Sequence, residues 1–162
     1  MKIKSEFKGH ITKRVRADLY DEQSDTVIEF KYHKQIDTSD SCETTNMGEV
    51  FRDLNRLSLL GNAEKYLIYV FDDEMLNYYK KNAITNIFNI EKSDLSVPSN
   101  INGDKNLHKE FFKTAFSSFD DEYKDFSKFS YTVKTEFSSK ITTVKDRDGK
   151  NKSFYLKIYK VV

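Results

Sequence analysis

The sequence lacks the features that mark an extracellular or membrane protein. Its 162 residues include a single cysteine, Cys42, in the polar stretch DTSDSCETT, which excludes an internal disulfide and a cysteine-based zinc site. No hydrophobic run approaches the roughly 18 residues of a membrane span, and the first 14 residues lack the apolar segment of a signal peptide. These absences predict a cytoplasmic protein with no membrane partner.

Several catalytic signatures are also missing. The chain has five glycines and no glycine-rich phosphate loop, and it has no local Ser-His-Asp signature and no Cys/His cluster. What remains is charge and aromatic content: 33% of the residues are charged, and there are 13 Phe and 10 Tyr but no Trp. The apolar residues fall into periodic segments, which predicts one folded domain over residues 1–162 rather than a disordered chain.

The charge is unevenly distributed along the chain. The net charge is +1, but residues 1–16 carry about +5 and residues 145–162 about +4, so the middle carries about −8. If the fold brings the two ends together, they form a basic patch that can bind phosphate. The alternative is that both ends are solvated strand faces and tails.

Periodicity predicts an α/β fold with a mixed central sheet flanked by helices. Alternation and turn signals predict strands over 10–20, 26–33, 65–73, 129–137, 140–144 and 153–161. Spacing of three and four predicts helices over 46–60, 74–82 and 107–119. Residues 83–105, with the only proline, are predicted to be irregular. Strands 10–20 and 26–33 form a hairpin, and Asp148-Gly149 predicts another near the C-terminus.

Three of these segments carry further expectations. Asn46 is predicted to cap the first helix, with Glu49 completing a capping box. The apolar run KYLIYVFDD predicts a strand covered on both faces. Asp72 and Asp73 end that strand, where functional sites often collect, but a turn or helix-cap role is the preferred interpretation.

The segment TVIEFKYH places charge inside a strand. Alternation puts Ile28, Phe30 and Tyr32 on one face, which is predicted to be the core face. The other face carries the charged side chains and three explanations are open: it is solvated, its charges pair, or it lines a site. Its members are Val27, Glu29, Lys31 and His33.

Asp18 favours the third explanation. It closes the preceding strand, 11 residues before Glu29, so the hairpin can bring the two carboxylates together. Such carboxylates repel unless a cation lies between them, and hard oxygen ligands suit Mg²⁺ or Mn²⁺. Lys31 would then hold a nucleophilic water and offset charge developing on a phosphate.

This arrangement resembles the PD-(D/E)XK nuclease family. The matching residues are Asp18 in RADLY and Glu29-Phe30-Lys31 in VIEFKYHK, followed by the helix MGEVFRDLNRLSLL and the strand KYLIYVFD. The resemblance covers about residues 5–75, and residues 76–162 are predicted additions that include C-terminal β-hairpins. It implies a restriction-endonuclease-like fold.

The resemblance also implies an activity. The family hydrolyses phosphodiester bonds with Mg²⁺ or Mn²⁺, and the metal ligands would be Asp18, Glu29 and the backbone carbonyl of Phe30. Lys31 would position or activate the attacking water. DNA is favoured over RNA as the substrate by analogy with the family. Ala17 replaces the proline that usually precedes the aspartate.

Other residues are weighed as supports for this site. Glu6 is the one candidate for the acid that many family members carry on an N-terminal helix. Arg16, His33, Arg52 and Arg56 are candidate phosphate contacts. The alternatives are a strand-end surface position for His33 and a solvated helix face for the two helical arginines, paired with Glu49 and Asp53.

Two other functions stay open. One is a non-catalytic nucleic-acid- or protein-binding module with the same fold, and the other is a structural protein in which Glu29 and Lys31 form a surface pair. A nuclease predicts that Asp18, Glu29 and Lys31 converge, whereas a structural role predicts that Glu29 and Lys31 are open to solvent. A homodimer is a further possibility.

Overall fold

The protein is described by a computed structural model over residues 17–33, 41–81, 88–97, 109–119, 121–125, 128–145 and 148–162. Within these residues the chain forms one six-stranded mixed sheet and three α-helices, which confirms the predicted α/β class. The strands are β1 (Leu19–Asp21), β2 (Thr26–His33), β3 (Glu64–Asp72), β4 (Asp94–Val97), β5 (Tyr131–Lys145) and β6 (Asn151–Val161). The helices are α1 (Ser41–Ser58), α2 (Asp73–Tyr79) and α3 (Lys109–Ala115).

The strand order is β1-β2-β3-β6-β5-β4. β2 and β3 are parallel and joined by α1, as the predicted helical crossover requires, while every other neighbouring pair is antiparallel. In register, Glu29 pairs with Leu67 and Lys31 with Tyr69. The charged positions of β2 therefore lie beside the most buried part of β3.

The helices pack on one face of the sheet, here called the helix face. Aromatic rings connect the layers: Phe51 of α1 contacts Phe88 and Phe111 edge-on at centroid distances of 5.4 and 5.3 Å, and Phe88 contacts Tyr159 of β6 at 5.8 Å. These side chains are fully buried or nearly so. The high aromatic content is thus used mainly in this core.

Gly48 sets the distance between α1 and α3. A Cβ at this position would lie 2.8 Å from the Cβ of Thr114 and 2.9 Å from the carbonyl oxygen of Phe111. Because a backbone oxygen cannot move aside cheaply, only glycine allows this approach. The close packing fixes the position of α1 against α3.

The orientation of β2 is the reverse of the prediction. Val27, Glu29 and His33 are buried on the helix face, whereas Phe30 and Tyr32 are 50% and 58% exposed. The expectation that Ile28, Phe30 and Tyr32 form the core face is therefore wrong. The physical reason is that α1 presents charged side chains to β2, which makes the charged face the one that α1 covers.

The predicted bounds of α1 and β1 also need correction. α1 begins at Ser41, five residues before Asn46, so Asn46 lies inside the helix and is not its N-cap. Its side chain instead donates to the sulfur of Met75. The predicted strand 10–20 is limited to Leu19–Asp21 within the described residues, because residues 10–16 lie outside them.

The C-terminal part completes the sheet. β6 pairs with β3 and lies at its centre, and β5 is one strand with irregularities at Thr135/Phe137 and Lys140/Thr142, where two separate strands were predicted. β4 forms in a stretch that was predicted to be irregular. The predicted Asp148-Gly149 turn lies between β5 and β6, with Gly149 at a φ of 77°.

No helix in the described ranges is long and apolar enough to cross a membrane.

Candidate functional site

Asp18 and Glu29 hold each other in place through the backbone. The amide of Asp18 donates to Oε2 of Glu29 at 3.3 Å, and the amide of Phe30 donates to Oδ2 of Asp18 at 2.8 Å. Asp18 lies just before β1 and Glu29 lies within β2, so the hairpin produces this reciprocal arrangement. Each carboxylate accepts one of these two hydrogen bonds through one oxygen, and the two acids are neighbours.

Lys31 points from β2 toward α1. Its ammonium lies 2.7 Å from Oδ2 of Asp53 and 3.5 Å from Oε2 of Glu49, and its side chain is 15% exposed. The contact with Asp53 is an ion pair without hydrogen-bond geometry, since Oδ2 of Asp53 has no hydrogen-bond partner in the described parts of the chain. The lysine is therefore held by this ion pair and by the hydrogen bond that it donates to Glu49.

Arg56 forms ion pairs with both Glu29 and Asp53. One guanidinium nitrogen lies 3.5 Å from Oε1 of Glu29 and 3.4 Å from Oδ1 of Asp53. Arg52 adds a contact from Nε to the same oxygen of Asp53 at 3.3 Å. Asp53 is fully buried, so it is the point at which the cations Lys31, Arg52 and Arg56 meet.

Glu29 is a carboxyl group that ionises with difficulty, because it is buried next to other acids. Burial is the main cause that raises the pKa of Glu29 to about 7, and the negative charges of Asp53 and Asp18 raise it further. Arg56 and the Asp18 amide act in the opposite direction without cancelling this effect. A bound cation would stabilise the ionised form of Glu29 and lower this pKa.

His33 continues the polar contacts into the core. Its Nε2 lies 3.2 Å from Oε2 of Glu49 and its Nδ1 lies 3.1 Å from the hydroxyl of Tyr69, which in turn lies 3.3 Å from the hydroxyl of Tyr79. The hydrogen bond from His33 is the main reason that the pKa of Glu49 falls to about 2. Glu49 is thus held as an anion next to Lys31.

The structure brings most of the predicted site residues together. Asp18 contacts Glu29 in the middle of β2, Arg56 of α1 contacts Glu29, and Lys31 and Arg52 both contact Asp53. The backbone of Phe30 belongs to the site, whereas its side chain points to the opposite face of the sheet. Glu6 and Arg16 lie outside the described residues.

Two alternatives from the sequence are wrong, and a third holds in part. Glu29 is 8% exposed and paired with α1, so Glu29 and Lys31 are not a solvent-exposed surface pair. His33 is buried and is not a strand-end surface residue. Arg52 and Arg56 do pair with Asp53, as that alternative predicted, but they do so in a largely buried position rather than on a solvated face.

Sequence analysis did not assign Glu49 or Asp53 to the site. A signal for Asp53 was present: it lies three residues after Val50 and four before Leu57, both buried, so a charge interrupts the apolar stripe of α1. A charged residue in such a stripe needs buried partners of opposite charge. Glu49 carried no comparable signal, since it lies beside the stripe.

The residues fit a divalent cation in the kind of donor they offer. Asp18 and Glu29 provide neighbouring carboxylates, and an added cation would stabilise the ionised form of Glu29. In the described part of the chain, no three His, Cys, Asp or Glu side chains are arranged to hold a metal ion. Mg²⁺ in proteins often uses only one or two carboxylates and keeps several waters, so the pair of acids is sufficient in principle.

A second polar cluster lies at the other end of β3. Lys152 pairs with Asp72 at 3.0 Å and Glu74 at 3.3 Å, and the other oxygen of Asp72 accepts from the amide of Met75. Asp72 is the N-cap of α2, which confirms the helix-cap interpretation. Asp73 accepts from the amide of Ser153 and so ties the same turn to β6.

Comparisons with family models, with curated proteins and with solved structures gave no match to this chain. The function must therefore be inferred from the residues and their geometry.

Proposed function

We propose that the protein is a metal-dependent nuclease that hydrolyses phosphodiester bonds, with DNA favoured over RNA. The observation that carries the proposal is the reciprocal lock between Asp18 and Glu29 on the hairpin that also carries Lys31. The hairpin, the crossover helix α1 and the parallel strand β3 support a restriction-endonuclease-like core, in line with the resemblance to the PD-(D/E)XK family.

The roles of the residues follow from their chemistry. Asp18, Glu29 and the carbonyl of Phe30 would hold Mg²⁺ or Mn²⁺, which lowers the pKa of bound water and polarises a phosphate. Lys31 would orient the attacking water and offset negative charge on the phosphate. The ammonium of Lys31 pairs with Asp53 and Glu49, and these contacts would hold it ready for that role.

Arg56 has a separate role in the same site. Its guanidinium pairs with Glu29 and Asp53, so it supplies positive charge to the acidic site. Guanidinium groups also match phosphate oxygens through paired hydrogen bonds. Arg56 can thus exchange an internal carboxylate for a phosphate when a nucleic acid enters.

The test is cleavage of supercoiled plasmid and single-stranded DNA with Mg²⁺ or Mn²⁺, set against EDTA and a Lys31→Ala protein. Lys65→Ala is the matched control, because Lys65 lies on the adjacent β3 and its ammonium donates to the carbonyl of Gly61. Metal-dependent cleavage should disappear in Lys31→Ala and persist in Lys65→Ala. Equal cleavage by all three proteins would exclude the proposed site.

The second candidate is a non-catalytic nucleic-acid- or protein-binding module. The ion pairs that Lys31 and Arg56 already make with Asp53 and Glu29 favour it, because they neutralise much of the acidic charge without a metal. It predicts no cleavage of either DNA. Fluorescence anisotropy of labelled DNA would then show binding that is unchanged by EDTA.

A further inference from the structure

The face of the sheet opposite the helices is apolar and only partly covered. It is called the open face, and its aromatic members Phe30, Tyr32 and Phe137 are 50%, 58% and 47% exposed. Register places the remaining members on the same side, and these are half-buried. They are Ile28, Tyr66, Ile68, Val70, Phe154, Leu156 and Ile158.

The patch is continuous across four adjacent strands. Phe30 of β2 pairs with Ile68 of β3, Ile68 pairs with Ile158 of β6, and Ile158 pairs with Phe137 of β5. Tyr32 and Phe154 reach across β3 and stack with their ring centroids 6.3 Å apart. The side chains are therefore ordered as one surface rather than scattered singly.

β3 has the sequence of a strand that is covered on both sides. The run KYLIYVFDD is apolar at successive positions, a pattern typical of strands buried on two faces. Its helix-face residues Leu67, Tyr69 and Phe71 are fully buried, whereas Tyr66, Ile68 and Val70 are half-buried. The sequence of β3 thus indicates that a second layer of protein packs on the open face.

The size of the patch reaches the lower limit of a stable interface. An aromatic side chain has about 150–250 Å² of surface, so the three half-exposed rings leave roughly 300 Å² open. The seven half-buried neighbours bring the patch to roughly 600 Å², the upper end for a monomer's largest apolar patch. Two such patches in contact bury roughly 1,200 Å², the lower limit for a stable protein–protein interface.

We propose that the occupant of the open face is a second copy of this chain. At the rim, the charge of Lys160 is balanced by Glu64, and its ammonium lies 5.7 Å from the centre of the Tyr66 ring. A neutral, apolar sheet face selects no acidic or basic partner, and two identical faces match each other about a two-fold axis. Sheets pack face to face at about 10 Å in this way.

This dimer places the two candidate sites on its outer sides. Glu29 and Lys31 project to the helix face, while Phe30 and Tyr32 project to the open face of the same strand. Each site is therefore built within one copy, and the proposal does not depend on the nuclease activity.

The test is the association state of the full chain by sedimentation equilibrium over a range of concentrations. The wild-type protein should be a dimer, and Tyr32→Glu with Phe137→Glu should raise the dissociation constant at least about 100-fold, as loss of central aromatic contacts does. Asn77→Glu is the matched control, because Asn77 is exposed on α2 on the other side of the sheet.

Folding is checked by circular dichroism, and Tyr32→Ser with Phe137→Ser serves as a second pair that introduces no charge. A wild-type chain that stays monomeric at every concentration would overturn the proposal and leave the open face to a different protein or to another segment of this chain. Equal weakening by Asn77→Glu would also overturn it, because the contact would then lie elsewhere.

Discussion

Lys31 and Lys152 are both nearly buried lysines that pair with two acidic side chains, yet their surroundings differ. At Lys152, Asp72 is also a helix cap and Asp73 accepts a backbone amide, so the local acids have defined structural partners. At Lys31, four acids and two arginines crowd together. The first cluster closes a turn, whereas the second buries a carboxyl group, Glu29, whose pKa is strongly raised.

The pKa directions express the same difference. Although burial acts to lower it, Asp72 and Glu74 raise the pKa of Lys152, as a satisfied ion pair does. Burial and the neighbouring acids raise the pKa of Glu29 to about 7 despite Arg56. Strongly shifted carboxyl groups are frequent at functional sites, and structural ion pairs such as that of Lys152 also shift pKa values.

The largest expected effect separates the two lysines by chemistry. Lys31→Arg should reduce metal-dependent DNA cleavage by about 100-fold or more, because a guanidinium keeps the charge but cannot take part in proton transfer. Lys152→Arg should keep cleavage within a few-fold of wild type. Initial rates on plasmid DNA measure both. If both variants cleave like wild type, Lys31 acts only as a charge.

The free energy of unfolding should respond in the opposite order, with the larger loss at Lys152. Lys152→Met should lower the free energy of unfolding by about 3–5 kcal/mol, the usual cost of leaving a buried carboxylate without its cation. Lys31→Met should cost less, since Asp53 keeps Arg52 and Arg56 at 3.3 and 3.4 Å. Urea unfolding at pH 7 gives both values. A greater loss at Lys31 would show that its cluster is the main structural one.

The pH dependence of stability should identify Glu29. Its pKa is about 7 when folded and near the ordinary 4.5 when unfolded, so between these values only the folded chain keeps the proton. The free energy of unfolding therefore falls as pH rises from 4.5 to 7, by up to about 3 kcal/mol. In the Glu29→Gln protein, this fall in the free energy of unfolding should be absent.

The measurement is the difference between the two proteins at several pH values, in which groups common to both cancel. The depressed pKa of Glu49 acts in a separate window, because its contribution is lost only as pH falls from 4.5 toward 2. Parallel stability profiles for wild type and Glu29→Gln between pH 4.5 and 7 would contradict the assignment.

The sequence predicted the local elements well because their signals are local. Hairpin, helix and strand each carry their own periodicity. Glu29 and Lys31 were singled out because alternation places them on one face, and Asp18 because the hairpin can bring it close to Glu29. Alternation does not say which face turns inward. That depended on Asp53 and Arg56, which belong to a helix more than 20 residues away.

The pairing of the strands could also not be predicted from local sequence patterns. β6 was recognisable as a strand, but its place between β3 and β5 follows from long-range pairing. β4 is four residues long with one buried member, Val97, and therefore gave little signal. The same limit applies to Glu49, whose partner His33 is distant in sequence.

The smallest expected effect tests how much of the rise in the pKa of Glu29 is caused by neighbouring charges. Asp53→Asn should lower the pKa of Glu29, because the charge of Asp53 is the second cause of the shift after burial. The pKa should stay above the ordinary value, since burial remains. Carbon-13 NMR of the Glu29 carboxyl measures it. Glu74→Gln, which removes one acid from the Lys152 cluster instead, should leave it unchanged. An unaltered pKa in Asp53→Asn would mean that burial alone distinguishes the two lysine clusters.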